Sequence, residues 1–161
     1  MTNFYDLLEW QQDQYQHDMR NHFDILSLHK HDRLKHYAMH FAKYAGRIAR
    51  GTSERKTEAE TITDAALVSL SAANTMSQRL ERNAQASNLS FLLRLTDAAG
   101  RFNDAAEKID HLEPFLDQAK ESNQDLMDCL LDRSETLALD VKAMLAERRK
   151  FLREKQFFIR S

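Results

Sequence analysis

Turn-forming residues are scarce in this chain, with three glycines and one proline in 161 residues. A sheet protein of this length needs many turns and edge breakers, so the shortage argues against strands and for helices joined by short polar links. Cysteine is nearly missing as well. Cys129 stands alone in an apolar stretch, which excludes a disulfide framework and a cysteine metal cluster and suits a reducing compartment. No apolar run approaches the roughly 20 residues that a membrane span requires, and Met1-Thr2-Asn3-Phe4 leads straight into a polar amphipathic stretch. The expectation is a soluble, cytoplasmic protein with no membrane partner. Neither sign of charge dominates: the net charge of −2 gives no general argument for nucleic acid.

What the chain does contain is Ala, Leu, Gln, Glu, Lys, Arg and Met in helical periodicity, and the expected class is all-α, a bundle of about five helices in one domain. Residues 3–31 predict an N-terminal helix and a link, with Phe4, Leu8, Tyr15, Met19, Phe23 and Leu26 along one stripe that Leu7 and Trp10 widen. Residues 32–82 predict a first helical hairpin. Asp32 caps its first helix, Leu34, Ala38, Phe41, Ala45 and Ile48 form the buried side, and Gly51 stops it. Thr57-Glu58-Ala59-Glu60 has capping-box spacing and opens the return helix, read as far as Arg82 with Ile62, Ala66, Leu70, Ala73 and Leu80 inward. Residues 88–157 predict a second hairpin: a helix from Leu89 to Ile109, a short element begun by Pro114, and a long helix from Ser122 to Phe157.

Two of the glycines recur in one phrase, Lys43-Tyr44-Ala45-Gly46-Arg47-Ile48 and Asp97-Ala98-Ala99-Gly100-Arg101-Phe102. Glycine inside a helix costs roughly 1 kcal/mol relative to alanine, so its recurrence suggests a duplicated unit and a close helix crossing at each copy.

Charge is uneven along the chain. Lys30, Arg33, Lys35, Lys43, Arg47, Arg50, Arg55 and Lys56 face only Asp32 and Glu54, and Arg148, Arg149, Lys150, Arg153 and Lys155 form a second basic run. His36, His40, Lys43 and Arg47 fall at i, i+4, i+7 and i+11, one polar line opposite the apolar stripe. The histidine pair has the spacing for zinc or iron but needs a third ligand. In the second half Asp97, Asp125 and Asp128 are candidates for a Mg²⁺ site, because clustered carboxylates hold a hard cation against phosphates. Ordinary solvated helix faces give the same spacings.

The hairpin from about Leu34 to Leu80 resembles the MazG-like group of all-α nucleotide pyrophosphohydrolases. In that group one core helix carries Glu-Glu-x-Gly-Glu-Leu and the next carries Glu-x-x-Asp before an apolar stretch. The matching stretches here are Lys43 to Ile48 and Thr61-Ile62-Thr63-Asp64-Ala65-Ala66-Leu67. The second half is similar through Asp97 to Phe102 and Asp125 to Leu130, closing in Ala138-Leu139-Asp140-Val141. The resemblance implies Mg²⁺ held by carboxylates and hydrolysis of a nucleoside triphosphate to monophosphate and pyrophosphate. Lys43 and Arg47 stand where two of those carboxylates belong, and Thr61 removes a third.

The leading expectation is therefore a MazG-like protein with an altered or lost metal site, binding a nucleotide or other phosphorylated ligand through His36, His40, Lys43, Arg47 and Asp64 without efficient catalysis. An active Mg²⁺-dependent pyrophosphohydrolase working through Asp97, Asp125 and Asp128 is the first alternative. A helical assembly module is the second: a homo-oligomer that uses the aromatic first helix or the Phe157-Phe158-Ile159 tail.

Overall fold

A computed structural model describes residues 5–84 and 86–155. Among these the protein is all-α, with helices α1 (Leu7–Asn21), α2 (Phe23–Leu26), α3 (Lys30–Arg50), α4 (Glu58–Thr75), α5 (Phe91–Asp110), α6 (Leu116–Thr136) and α7 (Val141–Lys155). Helix α3 packs on α4 and α5, and α6 packs on α5 and α4, so these four make the core of the bundle. Helices α1 and α7 lie against α4 and against each other. Surrounded in this way, α4 buries residues on every side, from Thr61 and Ile62 through Ser69 and Leu70 to Thr75. Its small side chains, Ala65, Ala66, Ser69, Ala72 and Ala73, are what let four neighbours approach one helix.

The capping box at Thr57 forms as read: Thr57 Oγ1 accepts from the Glu60 amide and the Glu60 carboxylate accepts from the Thr57 amide. Gly51 ends α3 with φ of +55°, a conformation that glycine adopts without strain. Phe41 of α3 and Phe102 of α5 meet edge to face at the centre, ring centroids 4.9 Å apart. A buried polar tie joins α4 to α6, in which Asn123 accepts from the Ser69 hydroxyl and donates to the Ser69 carbonyl and the Gln78 side chain.

Several expectations need correction. The first helix ends at Asn21, whose side-chain Nδ2 donates back to the His17 carbonyl, and it docks by Leu7, Trp10, Gln11, Gln14, His17 and Asp18. Leu8, Tyr15, Met19 and Phe23 of the expected stripe are exposed; Phe4 and the Phe157-Phe158-Ile159 tail lie outside the described residues. Helix α4 stops at Thr75 rather than Arg82. The expected long final helix is two helices, broken between Thr136 and Val141 within the Ala138 to Val141 stretch. Neither repeated glycine sits at a close helix crossing: a Cβ on Gly100 would meet nothing within 4 Å, and one on Gly46 would meet only the Arg50 side chain.

The two helix ends read too far, after Thr75 and Thr136, have a common cause, which also operates after Asp110. Ser77, Leu112 and Ala138 adopt positive φ, and the next residue's amide in each case bonds back to a carbonyl five residues earlier. This is the Schellman closure, normally made with glycine. Leu112 is 95% exposed at φ +57°, so Leu112→Gly removes left-handed strain with no packing lost. The expected gain is about 0.5–1 kcal/mol, read from the urea midpoint; a lower midpoint would contradict it.

Candidate anion site between α3, α4 and α7

The antiparallel run of α3 and α4 brings Tyr37 beside Thr75 and Arg47 beside Asp64. Between these ends a cavity of about 260 Å³ opens, walled by α3 and α4 on one side and by α1, α2 and α7 on the other. His36, His40, Lys43, Arg47 and Asp64 all line it. The helical spacing that aligned the first four on one face therefore aims them into one space, which α1, α2 and α7 close.

Asp64 is the electrostatic centre of one end. Its Oδ2 accepts from Lys56 Nζ at 2.6 Å and Arg47 Nη1 at 3.3 Å, and its Oδ1 from Arg148 Nε at 2.7 Å. These cations come from α3, the loop before α4, and α7. Burial acts to raise the Asp64 pKa, but the Lys56 hydrogen bond and the Arg148 and Lys56 charges outweigh it and hold the carboxyl below its usual range. Lys43 adds a fourth positive charge and makes no carboxylate ion pair among the described residues. It lies over the Tyr44 ring at 5.2 Å, as Arg47 does at 5.5 Å.

The histidines occupy the middle. His36 and His40 meet Nε2 to Nε2 at 3.1 Å, and His40 Nδ1 lies 3.2 Å from the Tyr44 hydroxyl. One ring donates and the other accepts, so the contact excludes protonation of both rings at once. Burial, then the Lys43 charge, lowers the pKa of both, that of His40 to about 4.

The far end is different in kind. Asp18 accepts from Gln14 at 2.9 Å and from Ser71 at 2.6 Å, both neutral donors, and burial raises its pKa. Ile25, Leu26, Leu67, Val68 and Leu152 supply apolar wall. From His36 to Arg47 the face runs about 16 Å at 1.5 Å per residue, so a ligand can place a charged group at one end and an apolar or hydrogen-bonding body at the other.

The second-half aspartates do not form the expected metal site. Arg101 lies between Asp97 and Asp125, at 2.9 Å from one and 2.8 Å from the other. Asp128 belongs to a separate network, accepting from the Asn83 amide at 2.9 Å and from Gln124 at 3.0 Å, beside Arg82. Among the described residues no three His, Cys, Asp or Glu side chains gather to hold a metal ion, which also leaves His36 and His40 without a third ligand. Comparison with family models, with curated proteins and with solved structures returns no match. Lys56, Arg148, Tyr44 and Asp18 were not singled out from the sequence. Lys56 and Arg148 stood in the two basic runs, but nothing in their spacing showed that the runs converge.

Proposed function

We propose that this cavity binds a phosphate-bearing small molecule, a nucleotide or another phosphorylated ligand, directly through cationic side chains and without efficient turnover. The observation that carries the reading is the surplus of positive charge: Lys43, Arg47, Lys56 and Arg148 line one cavity whose carboxylates are Asp64, already engaged, and Asp18, held by neutral donors at the far end. Such groups supply charge-assisted hydrogen bonds to phosphate oxygens, with arginine adding planar two-point contact. A divalent cation at Asp64 would have to displace three resident positive charges. The resemblance to MazG-like pyrophosphohydrolases makes nucleotides the first ligands to try, with the metal's neutralising role taken by Lys43 and Arg47.

The test is thermal melting with nucleotides, sugar phosphates and pyrophosphate in the presence of a chelator. A ligand at a hundred times its dissociation constant adds about 2.7 kcal/mol, which for a domain of this size raises the midpoint by roughly 5–10 °C. Lys43→Glu is expected to abolish the shift and leave the unliganded midpoint nearly unchanged, since Lys43 is exposed. A flat response to every ligand in the panel would refute the reading.

A further inference from the structure

We infer that Asp64 is the resident competitor for this cavity's anionic ligand: its carboxylate engages Arg47, Lys56 and Arg148 in the free protein, and a phosphate must share or take over those cations to bind. The inference rests on the cavity being an anion site, and it reverses the part given to Asp64 by sequence, where it stood among the ligand-binding residues. Three features support it. Both Asp64 oxygens are engaged by cations, leaving none of those three facing the cavity without a negative partner. The cations reach Asp64 from separate elements and make no other carboxylate ion pair among the described residues, so the carboxylate is what gathers them. The remaining cation, Lys43, faces the same space without a carboxylate.

An arriving phosphate therefore meets an assembled trio of donors together with the negative charge that assembled it. At this range in a partly desolvated cavity the repulsion between carboxylate and phosphate is not screened away. Asp64 thus has opposite effects on two measurable quantities. It stabilises the empty protein by neutralising three clustered cations, and it weakens the ligand by occupying them. A residue whose role is only structural would lower both stability and affinity when removed.

The experiment measures pyrophosphate binding by calorimetry, with chelator and at low ionic strength, for the wild type, Asp64→Asn and Glu147→Gln. Glu147 is exposed and adjacent to Arg148 in sequence, so its variant controls for the loss of one negative charge. Asp64→Asn is expected to melt at a lower temperature when empty and to bind pyrophosphate at least tenfold more tightly, while Glu147→Gln changes affinity less than twofold. If wild type binds and Asp64→Asn binds equally or more weakly, the competitor role is overturned while the anion site stands. If neither binds, the anion site itself fails. Equal tightening by Glu147→Gln would reduce the effect to general charge and also overturn the inference. Should Asp64→Asn not fold, the same comparison is made in a Lys56→Gln background, where two cations share the carboxylate; Asp64→Asn must again tighten binding there or the inference is lost.

Discussion

Acidification from pH 7 to pH 4 is expected to cost this fold several kcal/mol, with the loss beginning near pH 6.5. His17 and His40 are the source. Burial, followed by the charges of His22, Arg149 and Arg153, lowers the pKa of His17 from 6.5 to about 4. Burial, followed by Lys43 and His36, does the same to His40, with Asp64 opposing and Arg47 adding to the shift. In the unfolded chain each takes up its proton near 6.5, and in the folded chain only near 4. Between those values the unfolded state binds more protons, so stability falls as pH falls. Each shift corresponds to about 2–3 kcal/mol once the lower value is passed, His40 giving less because it is partly solvated. Asp18 works in the opposite direction, since its raised pKa makes the folded state the better proton acceptor in its own window. Asp64 adds to the loss only below the usual carboxylate range. Urea midpoints at pH 7.5 and pH 4.5 measure the effect, and His17→Gln should flatten the profile. A His17→Gln protein whose midpoint falls between the two pH values as much as that of the wild type would show that His17 is not held neutral by the fold.

Phe102→Ala is expected to remove about 3–5 kcal/mol, a large share of the 5–15 kcal/mol that holds a typical domain together. The ring is 1% exposed and stands edge to face on Phe41, itself fully buried, so truncation loses the transfer energy of the side chain, the aromatic contact, and the contacts lining the void. Because this pair joins α3 to α5, the void opens where the two hairpins of the core meet, and little side-chain movement can fill it. Phe102→Leu keeps most of the volume and should cost about 1–1.5 kcal/mol. A Phe102→Ala protein with a midpoint close to that of the wild type would show that the core is not packed as described.

The parts of the structure that the sequence showed are those where local chemistry acts alone. Thr57 with Glu60, and Gly51 after Arg50, fix helix ends by hydrogen bonds within a few residues, and both ends were legible. Ser77, Leu112 and Ala138 end helices in the same left-handed geometry without glycine, imposed by the wider fold against local preference, so α4 and the final helix were read too long. The inward stripe of the first helix was read correctly only at Leu7 and Trp10, for a related reason. Beside Leu7 and Trp10 its docked side includes Gln11 and Asp18, satisfied by partners as far away as Asn74, Gln78 and Ser71, while Leu8, Tyr15 and Met19 face outward. In the candidate site the α3 line of His36, His40, Lys43 and Arg47 was legible because a single helix sets it. Arg148 was not, since 84 residues separate it from Asp64.

The enclosure of α4 also determines how the cavity can exchange its contents. Helix α4 is buried on every side, and motion of it and of the α3 length packed on it requires breaking the core. Opposite them stands α2, four residues long with none buried, which contributes Ile25 and Leu26 to the wall. Local opening has its lowest free energy where little surface is buried, so a ligand would come and go past α2 while the cationic end keeps its shape. For the ligand proposed above, residence time would then follow the opening of α2, and selectivity the cations that Asp64 gathers from α3, the loop before α4 and α7.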